Sequence, residues 1–120
     1  MESYLNVGPS LHEAARIAGI PFREELHPFS KKVVSNGLEF HYLEWGNNNC
    51  ETILLLHGIG QQSHTWDFIS LALASKYRVI ALDARGHGDS EWAPNGDYSM
   101  EAYQQDLDCF VDAIRLDKFI

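Results

Sequence analysis

Two glycine-rich segments hold the residues of this chain whose types and spacing could do chemistry. The first is His57-Gly58-Ile59-Gly60, which follows an apolar run at positions 52–56. Glycine has no side chain, so the main chain there can approach a ligand closely and leave backbone N–H groups pointing inward. Such groups bind an anion. A tight strand-to-helix turn without any ligand is the alternative explanation of the same four residues.

The second segment, DARGHGDS, follows the apolar run YRVIAL. Its candidate site residues are Asp83, Arg85, Gly86, His87, Gly88 and Ser90. Continuous apolar runs such as this one and the run at 52–56 are typical of parallel strands that are buried on both faces. Because open α/β sheets bind ligands at the carboxyl ends of their strands, both segments are expected to line one crevice.

The elements that must position these segments can also be predicted. Asn36-Gly37, between apolar residues, predicts a tight antiparallel hairpin whose turn needs positive φ. Between the two apolar runs, Ser63 is predicted to cap a helix with Trp66, Ile69 and Leu73 on one face, which completes a β-α-β unit. A second, amphipathic helix is predicted after Ser99, with apolar residues at 100, 103, 107, 110, 111 and 114. The final LDKFI is expected to begin another strand.

Residues 1–30 form a separate helical lead-in before the predicted hairpin. Ser10 and Glu13 fit a capping box, and Gly19 with Pro21 ends the short helix that they begin. The chain is thus divided into this lead-in and a region over residues 31–120.

Together the hairpin, LLLHGIG before a Trp-containing helix, VIALDARGHGDS and YSMEAYQQDLDCFVDAI resemble the N-terminal half of the α/β-hydrolase superfamily, of the fold-1 type. The resemblance covers residues 33–120. It implies an α/β fold in which an antiparallel β-hairpin leads into a parallel β-α-β-α unit that ends before the nucleophile-elbow strand. Residues 31–120 are then a partial α/β-hydrolase domain.

The resemblance implies a role for each segment. The backbone N–H of Ile59 would donate to the oxyanion of a tetrahedral intermediate, and His57, Gly58 and Gly60 would support that loop. The residues from Asp83 to Ser90 match the family's Asp-x-Arg-Gly-x-Gly-x-Ser loop, which has a framework role. Asp83 and Arg85 could be an acid and its clamp, but an internal ion pair that keeps this rim rigid is favoured.

The chain departs from the family where the nucleophile is concerned. No Gly-x-Ser-x-Gly elbow occurs, and the acid and histidine that would follow it are also absent. We therefore expect a fragment that is inactive alone. In the family's strand order the strand ending at His57 would be a bare edge, so poor stability and self-association through that edge are expected.

Composition limits the partners. A net charge of -8 argues against nucleic acid, and no apolar run or leader segment indicates a membrane or secretion, so we expect a cytoplasmic protein. Cys50 and Cys109 are interpreted as reduced thiols. The six histidines lack metal-ligand spacing. We expect no metal and no cofactor.

Three functions remain open. The first is hydrolysis of a carboxylic ester or a similar small substrate, favoured over epoxide opening because His-Gly-Ile-Gly lacks the proline that many epoxide-opening and dehalogenating relatives carry after His-Gly-x. The second is a non-catalytic binding module, or half of a two-chain hydrolase. The third treats GIGQQS as a nucleotide-binding turn, which the absence of the third fingerprint glycine disfavours.

Overall fold

The computed structural model describes residues 10–120. In chain order the elements are α1 (Leu11–Ile17), β1 (Phe29–Ser35), β2 (Leu38–Trp45), β3 (Thr52–Leu56), a 3₁₀ turn (Ser63–Trp66), α2 (Asp67–Leu73), β4 (Arg78–Leu82) and α3 (Met100–Ala113). The strands form one sheet in the order β1-β2-β4-β3. The fold is the predicted hairpin followed by a β-α-β-α unit.

The hairpin forms because its two turn residues accept left-handed backbone. Asn36 has φ of 51° and Gly37 has φ of 76°, which is the geometry of a two-residue turn whose twist matches the flanking strands. Ser35 consequently pairs with Leu38, and the register continues to Phe29 opposite Glu44. The predicted hairpin is confirmed.

The sheet carries an apolar core on each face. On one face Leu43, Trp45 and Ala81 pack with Leu71 of α2 and Ala15 of α1. The opposite face packs against α3 through a second cluster, whose fully buried members include Phe40, Ile80 and Phe110. β2 and β4 are thus covered on both sides, which for β4 agrees with its continuous apolar run, whereas β3 is half-buried and β1 is mostly exposed.

The N-terminal helix begins where its capping residues predict. The Ser10 side chain accepts a hydrogen bond from the Glu13 N–H, and Gly19 has φ of 75° just past the helix end. Ala15 is fully buried in the same core cluster as the sheet. Residues 1–9 of the predicted lead-in lie outside the described residues.

The crossover between β3 and β4 differs from the sequence prediction. Gln62 caps the 3₁₀ turn, α2 begins only at Asp67, and Ser63 is buried with its N–H directed at Asp83 instead of capping a helix. Ile69 is 48% exposed, so the predicted face of α2 is wrong at that position. The short 3₁₀ turn shifts the helical phase, and Leu71 lies on the buried side.

The outer side of β3 meets the end of the chain. Ile120 N–H donates to Thr52 O at 2.9 Å, and Leu54 N–H donates to Ile120 O at 2.8 Å. Two bonds that flank one residue in this way are the pattern of parallel strands. The segment after α3 therefore returns alongside β3, as LDKFI predicted, and Leu56 near the rim stays 48% exposed.

Candidate functional site

The two glycine-rich segments meet at one rim of the sheet. β3 and β4 are parallel, and Leu56 at the end of one strand pairs with Leu82 at the end of the other. His57 and Asp83 are the next residues of the two strands, so both turns leave the sheet side by side. This is the shared carboxyl-end crevice that the sequence predicted.

The His57 imidazole joins the two turns. Its Nε2 accepts a hydrogen bond from the Ala84 N–H at 3.0 Å, so the ring hydrogen lies on Nδ1, which donates to the Gly58 carbonyl at 2.8 Å. With one nitrogen accepting and the other donating, the ring is a neutral imidazole in a defined tautomer. Neither nitrogen is left to move a proton for a substrate, so the geometry suits an orienting residue.

The peptide between Gly58 and Ile59 is fixed by its carbonyl. The Gly58 oxygen accepts from His57 Nδ1 and from Gln61 N–H at 3.1 Å. In a trans peptide the N–H points opposite to the carbonyl, so the Ile59 N–H is directed away from these donors. Within residues 10–120, no acceptor for this N–H is found. The Ile59 side chain is 94% exposed and contributes no packing.

A cavity of about 490 Å³ opens beside this amide. It lies between the strand ends and α3, and its lining is mostly apolar, with His87 among the polar groups. The lining residues include Leu56, Ile59, Ala84, Met100, Tyr103 and Leu107. Ligand sites combine an apolar wall with a few placed polar groups in this way. The larger cavity, about 950 Å³, lies at the opposite end of the strands near Gly46 and contains none of the predicted residues.

Asp83 is a buried carboxylate with three donors. It is 1% exposed and accepts from Ser63 N–H at 2.6 Å, from His41 Nδ1 at 2.7 Å and from Asp89 N–H at 3.1 Å. Burial alone would raise the pKa of Asp83, but the hydrogen bonds from Ser63, Asp89 and His41 outweigh it and hold that pKa below 3.8. Asp83 therefore stays ionised and ties three segments together.

Arg85 pairs with a residue that sequence analysis did not identify. Its Nε and Nη2 bind the two carboxylate oxygens of Asp106 in α3 at 2.5 and 2.7 Å, and Nη1 donates to the Asp97 carbonyl at 2.8 Å. The hydrogen bond to Asp106 raises the pKa of Arg85 above its ordinary value. The predicted Asp83–Arg85 ion pair is wrong, because the two side chains leave the loop toward different elements and each finds its own partner.

The remaining residues of the loop close the turn around Asp83. Ser90 Oγ donates to the Asp83 carbonyl at 2.6 Å and accepts from His41 N–H at 2.9 Å. A Cβ on Gly88 would lie 2.3 Å from Asp83 Oδ2, so only glycine fits there. Gly86 is similarly restricted, since its Cβ would meet the Tyr98 ring at 2.5 Å.

His87 lines the cavity beside His57. Its Nδ1 lies 2.9 Å from the Arg85 carbonyl, and its ring centroid is 5.1 Å from that of His57. A carbonyl can only accept, so the Nδ1 hydrogen is donated to it. His87 thus gives the cavity a polar ring, and Ile59 gives it a backbone donor.

His41 and Asp106 are site residues that sequence reasoning missed. A signal existed for each: His41 is a polar residue within a strand of large apolar residues, and Asp106 lies between Tyr103 and Phe110 on the apolar stripe of α3. A charged residue in a buried position indicates a buried partner. The identity of that partner depended on the tertiary structure.

His41, Asp83 and Asp89 also form a group of possible metal ligands within 4.8 Å of one another. The candidate atoms of His41 and Asp83 face each other at 2.7 Å as donor and acceptor. This pair is explained by its hydrogen bond.

We find no helix in residues 10–120 with the length and hydropathy needed to cross a membrane.

Comparison with known proteins gives a consistent result. The model of a family described as alpha/beta hydrolase fold matches residues 51–120. N-formylmaleamate deformylase of Pseudomonas putida is 33% identical over 87 residues, which cover 72% of this chain and 32% of the relative. Epoxide hydrolase 4 of Mus musculus is 37% identical over 84 residues, which cover 70% and 22%.

A solved structure extends the likeness to nearly all of the described residues. A bacterial membrane phospholipase A superposes with a TM-score of 0.74 at 27% identity, over 91% of this chain and 33% of that chain. The chain spans about a quarter to a third of the length of the curated relatives it matches.

Proposed function

The chain belongs to the α/β-hydrolase fold family, and on this premise we propose that it forms the oxyanion-binding part of a hydrolase acting on a carboxylic ester or a similar small substrate. The observation that carries the proposal is the Ile59 amide. The Gly58 carbonyl of the same peptide is held by His57, and the Ile59 N–H has no acceptor among residues 10–120. Ile59 also borders an apolar cavity at the rim of the sheet.

The proposed chemistry uses this amide in the transition state. When a nucleophile adds to the carbonyl carbon of an ester, the carbonyl oxygen gains negative charge, and a preorganised N–H stabilises it. Loss of one such donor lowers kcat by about 10²- to 10³-fold. His57 would orient the donor through the Gly58 carbonyl, while the Asp83 loop would keep the neighbouring strand end in place.

The nucleophile would come from polypeptide beyond these 120 residues. No Gly-x-Ser-x-Gly occurs in the sequence, and the chain spans about a quarter to a third of the length of the curated relatives it matches. The coding sequence after codon 120 is the first test. We expect it to encode a strand followed by an elbow carrying Ser, Asp or Cys; serine supports ester cleavage, aspartate supports epoxide or carbon–halogen cleavage, and the absence of any elbow contradicts the proposal.

A substitution pair then tests the amide in the protein that carries the elbow. Ile59→Pro removes the N–H, and Ile59→Ala retains it while removing the same exposed side chain. The preceding residue is Gly58, the residue that tolerates a following proline best. We expect kcat for a p-nitrophenyl ester to fall about 10²-fold or more in the proline variant only. Equal kcat values in the two variants would contradict an oxyanion role.

The second candidate is a binding module or half of a two-chain hydrolase. It is favoured by the outer side of β3, where Leu56 is 48% exposed and, within residues 10–120, Ile120 is the residue that pairs. An unpaired strand edge recruits another strand. Size-exclusion chromatography of the 120-residue chain, combined with an esterase assay, tests this second candidate. It predicts self-association that Leu56→Lys reduces, and no ester turnover. Turnover by the purified chain alone would contradict the assignment of the nucleophile to other polypeptide.

A further inference from the structure

A hydrogen-bonded chain of a serine, a histidine and an aspartate crosses three adjacent strands. Ser30 Oγ lies 2.6 Å from His41 Nε2, and His41 Nδ1 lies 2.7 Å from Asp83 Oδ2. Ser30 belongs to β1, His41 to β2, and Asp83 directly follows β4. Each link therefore joins neighbouring strands, and no sequence motif announces it because the three residues are far apart in the chain.

The direction of these two hydrogen bonds follows from the charge of Asp83. Asp83 is ionised and can only accept, so the hydrogen between it and His41 is on Nδ1. In the neutral imidazole, Nε2 then carries the lone pair, and the Ser30 hydroxyl donates to it. This is the arrangement in which a histidine takes the proton of an attacking serine while an aspartate orients the ring.

The three hydrogen-bonded residues differ in solvent exposure, and the difference suits a reactive serine. His41 is 3% exposed and Asp83 is 1% exposed, whereas Ser30 is exposed. The base is thus held in one orientation by its surroundings, and the serine next to it occupies an exposed position of the edge strand β1.

The backbone of Ser30 also supplies a donor. The N–H and C=O of His41 are directed toward Ser90 and Asp83, away from β1, and antiparallel strands alternate between paired and unpaired positions. Leu43, two residues further on, has the same orientation, and it lies opposite Ser30. The Ser30 N–H therefore points to the outer side of β1, next to its own hydroxyl.

We propose that Ser30 is a nucleophilic serine, activated by His41 and Asp83, that is modified by electrophilic phosphonyl or acyl compounds. With a fluorophosphonate, a bond forms between Ser30 Oγ and phosphorus, the phosphorus–fluorine bond breaks, and fluoride leaves with the electron pair. The Ser30 proton passes to His41 Nε2 and then to solvent. This site is separate from the Ile59 amide and does not rest on the proposed function.

The test is labelling of the 120-residue chain with a fluorophosphonate, followed by intact mass and peptide mapping. We expect one adduct, on Ser30, formed about 10²-fold faster than on Ser99, an exposed serine whose hydroxyl caps α3 and makes no hydrogen bond to a histidine within residues 10–120. Ser30→Ala removes the hydroxyl of an exposed residue on the edge strand β1, so it should fold and lose the adduct. Equal labelling of Ser30 and Ser99, or equal labelling of the native and urea-unfolded chain, overturns the proposal.

A second variant reports on His41 without disturbing the buried residues. In Ser30→Cys the imidazole would hold the new sulfur as a thiolate, and iodoacetamide should alkylate it faster than the half-buried thiols Cys50 and Cys109. A rate equal to that of the same variant unfolded in urea means that His41 does not activate position 30, and it counts against the proposal. The fluorophosphonate adduct is formed once per molecule, so it is distinguishable from ester turnover.

Discussion

The turn after β3 and the loop after β4 leave the same rim of the sheet but are built differently. In the loop, Asp83, Arg85 and Ser90 are buried, each makes two or more hydrogen bonds, and each is bonded to at least one other segment. In the turn, Gly58, Ile59 and Gly60 are all exposed. The His57 ring is the link, since it accepts from the loop and donates to the turn.

This difference separates the part of the rim that carries stability from the part that is available for a ligand. Buried charges must be fully paired, and the loop pairs them within the protein. A donor meant for a substrate cannot be paired in this way, because an internal acceptor would compete with the ligand. Substitutions in the loop are therefore expected to change the free energy of unfolding, and substitutions in the turn to leave it almost unchanged.

The largest effect is expected for Asp83→Asn. The amide keeps the size of the side chain but loses the charge and places an NH₂ group among three donors, so we expect a loss of about 3 to 5 kcal/mol in the free energy of unfolding. Urea unfolding followed by tryptophan fluorescence measures it. Asp89→Asn is the matched control in the same loop, since Asp89 is exposed; equal losses in both variants would contradict the assigned role of Asp83.

Gly88→Ala should be the next most damaging change. The new Cβ would lie 2.3 Å from Asp83 Oδ2, and the residue has φ of 52°. Gly96→Ala measures the cost of a positive φ alone, because Gly96 has φ of 69° and an added Cβ would have nothing within 4 Å. We expect a loss of about 1 kcal/mol for the control and at least twice that for Gly88→Ala, compared by thermal unfolding. Identical losses would mean that the loop adapts around Asp83.

Acid should weaken the loop through Asp83. Its pKa in the folded chain is lowered from 3.8, so its contribution to stability is fully present above that value and is lost as the pH falls through the lower, folded pKa. Urea midpoints measured from pH 6 downward are expected to fall below about pH 4 in the native sequence. The decline should be shallower in Asp83→Asn, and parallel curves would assign acid sensitivity to other carboxylates.

The smallest effect is expected for Ile59→Ala in the turn. The side chain is 94% exposed, so its removal should change the free energy of unfolding by less than about 0.5 kcal/mol. Urea unfolding of the variant beside the native chain measures this difference. A loss above 1 kcal/mol would show that the turn is packed in solution, and the comparison between the two regions would fail.

Much of the fold was predictable because its signals are local. Asn36-Gly37 predicted the hairpin turn, Ser10 and Ser99 predicted helix starts, and both strands that end at the rim were visible as apolar runs. The start of α2 was not predictable in the same way. Ser63 is a good helix cap by type, but its N–H is drawn to the Asp83 carboxylate, and the helix begins later.

The sequence by itself determined the strands, the hairpin and the two glycine-rich segments, since each depends on residues within a few positions of one another. Only the tertiary structure decided the partners: Asp106 for Arg85, His41 for Asp83 and the Ala84 N–H for His57. Polar groups that are far apart in the sequence pair according to the distances and burial that packing creates. Those quantities exist only after β2, β4 and α3 have come together.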